Sequence, residues 1–324
     1  MDQRPTLLDI VAAKKRIAPY ITRTPLHRYL TLDKLLDAQV YVKHENHQRL
    51  GSFKMRGGVN YYVQLTPDEK RRGVIGSSTG NHGQSIAYAG SLFGVQTVIV
   101  VPNGANSGKV ESMRLLGGKV VFHGKDFDEA REHVEVLAKE EGYKYLHSAN
   151  EPALIAGVGT YTLEIMEDLP DVDVIIVPIG GGSGACGVCI AAKSLNPKVK
   201  VIGVSAAKAP AAYLSWKNRT IAESKMETIA EGLATRVGFE LTQSILWDLL
   251  DDYVLVTEEE LEQAVVLHLE KTHNLTEHAG AASLAAALKA KDRLKGKRVA
   301  LVISGGNLSI ERLKQALGKR FFVT

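Results

Sequence analysis

The chain has 324 residues but only two cysteines, too few for a disulfide framework. No apolar run approaches the ~18 residues of a membrane-spanning helix, and the opening, MDQRPTLLDI, lacks the basic-then-apolar order of a secretory leader. Low-complexity tracts, repeats of about 20–50 residues and flexible linkers are missing as well. Neither sign of charge prevails: 40 Lys and Arg stand against 36 Asp and Glu, and the resulting +4 is spread along the chain. The densest basic stretch, residues 289–298, includes Asp292 and runs into an apolar segment, as a solvated helix end does. These absences argue against a nucleic-acid or membrane partner and leave a reducing cytoplasm as the expected compartment.

The composition that remains, 45% hydrophobic and 23% charged, is that of an ordinary globular protein. At roughly 150 residues per domain the length corresponds to about two domains. Short β-branched runs at 40–43, 74–77, 97–101, 119–122, 172–178, 199–205, 253–256 and 298–304 alternate with helical patterns such as 82–93, 107–116, 128–141 and 258–272. This alternation predicts an α/β fold of parallel sheets covered by helices. The runs IIVPI and TVIVVP are continuously apolar, as strands buried on both faces are. Ligands of such folds collect beyond the carboxyl ends of strands, which directs attention to the loops after 74–77, 172–178 and 298–304.

The loop after 172–178 reads Ile179-Gly180-Gly181-Gly182-Ser183-Gly184-Ala185-Cys186-Gly187 and opens a helix. Glycines admit positive φ and close backbone approach, and the free N–H groups of a helix start favour an anion, phosphate above all. No Lys-Ser or Lys-Thr follows, which excludes a Walker loop. Gly180, Gly182 and Ala185 fit a loose dinucleotide fingerprint, but the acidic residue expected about 20 positions on is missing, since the next strand ends at Ser205. Tight helix–sheet packing is a third use for the same glycines. The loop after 74–77, Ser77-Ser78-Thr79-Gly80-Asn81-His82-Gly83-Gln84, suits a carboxylate, and it also suits an ordinary N-cap cluster. Ile303-Ser304-Gly305-Gly306-Asn307 places a hydroxyl at a strand end, or is a plain helix-start turn. In Gly51-Ser52-Phe53-Lys54-Met55-Arg56-Gly57-Gly58 a lysine precedes an apolar helical stretch at 59–65. Desolvation there would lower its pKa and make it a usable amine nucleophile, although a surface lysine is the ordinary alternative. Cys186 and Cys189 form C-x-x-C, which small residues packing a helix explain without redox or metal chemistry, and His44-Glu45-Asn46-His47 is not a zinc motif.

Taken together, S-F-K-x-R-G, S-x-G-N-H-G-Q, the glycine-rich loop and S-G-G-N, in that order over nearly the whole chain, resemble the fold-type II pyridoxal-phosphate enzymes. The similarity is to the serine/threonine dehydratase branch, which also contains serine racemase. The resemblance implies two open, twisted, mainly parallel sheets flanked by helices, as in the β-subunit of tryptophan synthase. It further implies a small domain at 73–149 inserted in a large one made of 1–72 and 150–324, with pyridoxal 5′-phosphate between them. It implies a homodimer or homotetramer, and no C-terminal regulatory domain of the biosynthetic threonine dehydratase kind.

By the same resemblance Lys54 matches the lysine that binds the cofactor covalently and later takes the Cα proton. Phe53 matches the residue beside the ring, and Asn81 the donor to the 3′-oxygen. Gly180, Gly181, Gly182, Ser183 and Gly184 match the phosphate cradle, and Ser304 the residue facing the pyridine nitrogen. Ser78, Thr79, Asn81 and His82 match the loop that holds the substrate carboxylate. A neutral Ser304 makes the ring a weak electron sink, which disfavours transamination and favours loss of a β-hydroxyl as water, leaving a 2-oxo acid and ammonia. The implied activity is therefore dehydration of a β-hydroxy amino acid such as L-threonine or L-serine. Serine racemase and dehydratases of 3-hydroxyaspartate or 3-phenylserine are alternatives within the fold, and an NAD-dependent oxidoreductase is one outside it. Thr79 stands where serine racemase has the serine that serves the opposite face, so elimination is expected to exceed racemisation.

Several positions depart from the family pattern. Ser183 and Gly184 replace a glycine and an aliphatic residue, and Arg49-Leu50 replaces Pro or Lys followed by Thr, a change to which no function attaches. Glu277 falls in a segment, Thr276 to Gly280, that in the family lies near the cofactor, and is read either as a contact there or as helix N-terminal charge. In serine racemase and some related dehydratases a divalent cation sits beside the phosphate loop, held by a carboxylate at the end of the next strand and another six residues on. Ser205 and Ala211 occupy those positions here, and a hard cation needs anionic oxygens. No metal is expected, and Lys208 in the same loop is either a solvent-exposed lysine or a substitute charge.

Overall fold

The computed structural model describes residues 4–319; residues 1–3 and 320–324, which the expected large domain includes, lie outside the described residues. Among the described residues ten strands occur: β1 (Leu26–Arg28), β2 (Gln39–His44), β3 (Val74–Ser77), β4 (Thr97–Val101), β5 (Lys119–Phe122), β6 (Lys144–Tyr145), β7 (Val174–Pro178), β8 (Lys200–Ala206), β9 (Asp252–Val256) and β10 (Arg298–Ile303). They form a six-stranded sheet in the order β1-β2-β10-β7-β8-β9 and a four-stranded sheet in the order β5-β4-β3-β6. All pairings are parallel except that of β1 with β2. The expected strands at 74–77, 97–101 and 119–122 coincide with β3, β4 and β5, and the others agree within two residues. β1 and β6 were not expected, because three and two residues are too few to show a period.

Alternation along β7 and β10 explains their unbroken apolar sequences. Ile175, Val177, Ala300 and Val302 face one core, while Val174, Ile176, Val299, Leu301 and Ile303 face the other. The smaller sheet is likewise covered on both sides, with Val74, Ile99 and Val101 on one and Ile75, Val98 and Val100 on the other. It is built from residues 74–145, but Tyr61, Tyr62 and Leu65 from before it and Leu154 from after it complete one of its cores.

Those three residues come from the segment after Lys54, where the helix is Lys54–Tyr62 rather than the expected stretch at 59–65. It crosses the long helix Pro152–Asp168 at backbone distance. A Cβ on Gly157 would stand 2.6 Å from Arg56 O and 2.9 Å from Gly57 Cα, so only glycine permits the approach. On its other side the long helix meets helix Ser183–Leu195, where a Cβ on Gly187 would stand 2.7 Å from Gly159 Cα. The helix that begins at Lys54 and the helix that follows the glycine loop are thus registered against one shared helix.

A buried ion cluster completes this junction. The Arg56 guanidinium spans Glu45 (2.7 and 2.8 Å) and Glu164 (2.7 and 2.9 Å). Lys43 Nζ donates to Glu164 (2.6 Å) and to Thr24 O (2.7 Å). Two acids and two bases cancel. Burial alone would push the Glu164 carboxyl up, but Arg56 and Lys43 hold it below the usual glutamate value. Breaking such a pair leaves a buried charge unmatched, at a cost of about 3–5 kcal/mol. Urea unfolding of Glu164→Gln is therefore expected to show a loss of that size, and a loss under about 1 kcal/mol would show that the cluster does not hold the junction.

Candidate active site

The strand order makes the site. β2, β10 and β7 are neighbours, so the loops leaving their carboxyl ends meet although they lie far apart in sequence. The isolated bridge between Ser52 and Gly305 and the bond from Phe53 N to Ser304 O (3.1 Å) join two of these loops directly. The loop after β3 faces them from the smaller sheet. One cleft is lined by Phe53, Lys54, Ser78, Thr79, Asn81, His82, all of Gly180 to Gly184, and Ser304, which brings every expected site residue together.

Lys54 Nζ lies 3.1 Å from Ser183 Oγ and 5.1 Å from the centre of the Phe53 ring. Burial is the sole cause that pulls its amine down from the usual lysine value to about 8. Gly182 has φ +96°, a conformation glycine adopts at little cost, and a Cβ on Gly184 would press on the Phe53 ring at 3.2 Å. The loop then enters helix Ser183–Leu195 with no side-chain cap, so its first N–H groups remain turned toward the cleft.

In the loop after β3 the helix Asn81–Phe93 begins at an N-cap Gly80 that makes no side-chain cap. Ser78 Oγ accepts from Gly83 N (2.8 Å) and Gly80 N (3.1 Å), so its hydroxyl shapes the loop. Thr79 lines the cleft. His82 is buried with Nε2 unpartnered, and burial, followed by the charges of Lys54 and His147, lowers its pKa to about 3, so the ring is neutral. The Asn81 amide is fixed at both ends: Nδ2 donates to Glu277 (2.6 Å) and Oδ1 accepts from Asn307 Nδ2 (2.8 Å). An amide nitrogen carries two hydrogens, so one donor stays free. Glu277 stands at the N-cap of helix His278–Lys289 without capping it and instead touches the cleft. Burial raises its pKa, against the pull of Lys109 and the Asn81 bond.

Sequence reasoning missed the segment between helices Ala211–Asn218 and Glu240–Leu249, which supplies Glu231 to Thr235 and Phe239 to the cleft. Apart from a 3-10 turn at Glu231–Leu233 it has no helix or strand, so there was no period to read. Lys109 Nζ bonds Glu231 (2.5 Å), and Arg236 binds Asp126 (2.8 Å) and Asp128 (2.9 Å), which tie this segment to the smaller sheet's helices. A charge run could have flagged none of these pairs. At the end of β8, Ser205 and Ala206 stand where the dinucleotide reading needed an acid. Cys186 and Cys189 are buried and free, and Cys186 Sγ donates to Thr242 O. Among the described residues no group of three His, Cys, Asp or Glu is arranged to hold a metal ion, and no helix is long and apolar enough to cross a membrane.

The geometry agrees with known proteins. An L-threonine ammonia-lyase of Thermotoga maritima is 40% identical over 315 residues, 97% of this chain and 78% of that protein. The crystal structure of serine racemase from Dictyostelium discoideum superposes with a TM-score of 0.88 at 37% identity, covering 94% of this chain and 99% of the other. The processed form of threonine deaminase isoform 2 from Solanum lycopersicum gives a TM-score of 0.90 at 31% identity, covering 98% and 96%. The profile of the family described as "Pyridoxal-phosphate dependent enzyme" matches residues 17–305. With a desolvated lysine amine facing a glycine-lined helix start, and with that match over most of its length, this chain belongs to the family of pyridoxal-phosphate-dependent enzymes.

Proposed function

We propose that this lyase eliminates water from a β-hydroxy amino acid, L-threonine or L-serine, and yields a 2-oxo acid and ammonia. The carrying observation is the 40% identity to an L-threonine ammonia-lyase along 97% of the chain, with Lys54 desolvated in the cleft. The residues present fit the cofactor: a neutralisable amine, a row of free amides at Gly180 to Gly184, a spare Asn81 donor and a neutral hydroxyl at Ser304 all line one cleft. Pyridoxal phosphate, when bound, supplies an aldehyde for covalent attachment and a conjugated ring that withdraws electrons from the substrate's Cα.

The chain's own residues do the rest. Lys54 Nζ attaches the cofactor and, once released, takes the proton from Cα, a role its lowered pKa supports because about half of the free amine is neutral near pH 8. The amides of Gly180 to Gly184 hold phosphate with the helix dipole behind them. Asn81 reaches the 3′-oxygen with its second hydrogen, and Glu277 and Asn307 keep it from rotating. Ser304 offers the ring nitrogen a hydroxyl and no charge. Thr79, the backbone N–H of Asn81 at the helix start and the neutral His82 receive the substrate carboxylate, and Ser78 holds the loop that presents them. Phe53 and Phe239 keep water from the reacting face. The division into a domain at 73–149 and one made of 1–72 and 150–324, a dimeric or tetrameric assembly, and a cytoplasmic location belong to the same proposal.

The decisive experiment is release of 2-oxo acid from both enantiomers of serine, threonine, 3-hydroxyaspartate and 3-phenylserine, with chiral analysis of recovered serine. L-Threonine or L-serine should lead, and pyruvate should form faster than inverted serine. Inverted serine accumulating first would give the racemase reading precedence, which the Dictyostelium structure's likeness keeps in view.

Lys54→Ala should release no ammonia and should show no cofactor retained after borohydride treatment. Ammonia production above background by this variant would remove Lys54 from its role. Refilling of cofactor-stripped wild type should quicken with rising pH, with a midpoint near 8, because only the neutral amine attacks an aldehyde. A midpoint near the ~10.4 of a free lysine would contradict the desolvation argument.

Activity is expected to be indifferent to EDTA. Ser205 and Ala211 carry no charge, and the Ser205 hydroxyl is already engaged by Ile179 O and Tyr253. A several-fold fall in turnover on chelation, restored by Mg²⁺, would overturn this.

A further inference from the structure

Three carbonyls of residues 179–184, in the glycine loop and the first turn of its helix, are held from behind by hydroxyls of three different elements. Ser205 Oγ donates to Ile179 O (2.5 Å), Thr242 Oγ1 to Gly181 O (2.9 Å) and Tyr161 OH to Gly184 O (3.4 Å). In a planar trans peptide the C=O of one residue and the N–H of the next point in opposite directions. Fixing the Ile179 carbonyl toward Ser205 therefore aims the Gly180 N–H away from it. That N–H has no acceptor among the described residues, and Gly180 lines the cleft.

The first anchor differs from the other two in being a relay. Ser205 is buried on β8, and its Oγ lies 2.6 Å from Tyr253 OH on the neighbouring strand β9. A serine hydroxyl has one hydrogen, and the Ile179 carbonyl can only accept, so Tyr253 must be the donor to Ser205. The direction of the relay is thus settled: Tyr253 to Ser205 to Ile179. Burial raises the Tyr253 phenol far above its usual pKa, so it keeps its proton. The ring is braced edge-on by Tyr213 at 5.4 Å and by the tilted ring of Trp216 at 5.5 Å. Gly203, the Cα partner of Tyr253, completes the arrangement, since a Cβ there would collide with Ile179 Cδ1. Ile179 is thereby fixed at its side chain and at its carbonyl, just where the β7–β8 ladder ends at Pro178. Neither Ser205 nor Tyr253 lines the cleft.

We propose that Tyr253 is a positioning residue for the phosphate of the cofactor, acting through Ser205 to orient the Gly180 amide. Hydrogen bonds in a chain polarise one another, so loss of the phenolic oxygen weakens the Ser205–Ile179 bond and frees the Gly180 peptide to turn. The inference rests on reading Gly180 to Gly184 as the phosphate cradle. It does not depend on the amino acid that is dehydrated.

Tyr253→Phe and Ser205→Ala each delete one oxygen and no carbon framework. The test is the cofactor dissociation constant of the holoenzyme, followed by visible absorbance on dilution with no substrate present, so it stands apart from the dehydratase assignment. Each variant should bind pyridoxal phosphate about 3- to 10-fold more weakly, the range of one neutral hydrogen bond. The double variant should be no weaker than Ser205→Ala alone, because Tyr253 acts only through Ser205. Pyridoxal, which lacks the phosphate, should bind all four proteins equally. Unchanged phosphate-cofactor affinity in the single variants, multiplied losses in the double variant, or an equal loss for pyridoxal would each overturn the proposal.

Discussion

The position of Lys54 is set two residues away, where Arg56 lies between Glu45 and Glu164 in a region closed to solvent. Placing a guanidinium there is costly unless its charge and its donors are all matched. Two carboxylates and Lys43 meet that condition only when the end of β2, the start of helix Lys54–Tyr62 and the middle of helix Pro152–Asp168 occupy one mutual arrangement. A rigid fork of five donors discriminates among arrangements more sharply than apolar packing does, because a small shift breaks several bonds at once. The lysine amine reaches its place opposite Ser183 because the backbone beneath it has no alternative.

Glycine carries that constraint across the molecule. Helix Pro152–Asp168 touches the Lys54 helix at Gly157 and the helix after the glycine loop at Gly159, in both cases backbone against backbone. Contacts of this kind transmit position without the slack of side-chain rotamers. The amine and the glycine loop, 126 or more residues apart in sequence, are therefore held to a common reference.

The electrostatics of the cleft follow from its dryness. The same desolvation lowers the Lys54 amine, keeps His82 neutral and raises Glu277, so each of these groups lies nearer neutrality than in water or requires a partner. The helix start and its free amides then supply positive potential without a full buried cation. Lys109, paired with Glu231 and 3.9 Å from Glu277, balances the remaining acids at the rim.

Much of this was legible in the order of residues. Continuous apolar runs identified β4 and β7 because strands covered on both faces have no polar side to show, and the four motifs named their loops because together, in their order along the chain, they resemble one family. What the sequence by itself determined was thus the order of the longer elements, the parallel character of the sheets and the loops, bearing Lys54, Asn81, Gly180 to Gly184 and Ser304, that meet in one cleft. The strands too short for a period, β1 and β6, and the irregular segment bearing Glu231, Arg236 and Phe239 left no such trace. Only the tertiary structure decided that Ser78 spends its hydroxyl on Gly80 and Gly83, that Glu277 locks Asn81, and that Tyr253 stands behind Ser205. The reason is physical: propensity and capping act over a few residues along the chain, whereas desolvation and hydrogen-bond direction are set by whatever the fold brings alongside.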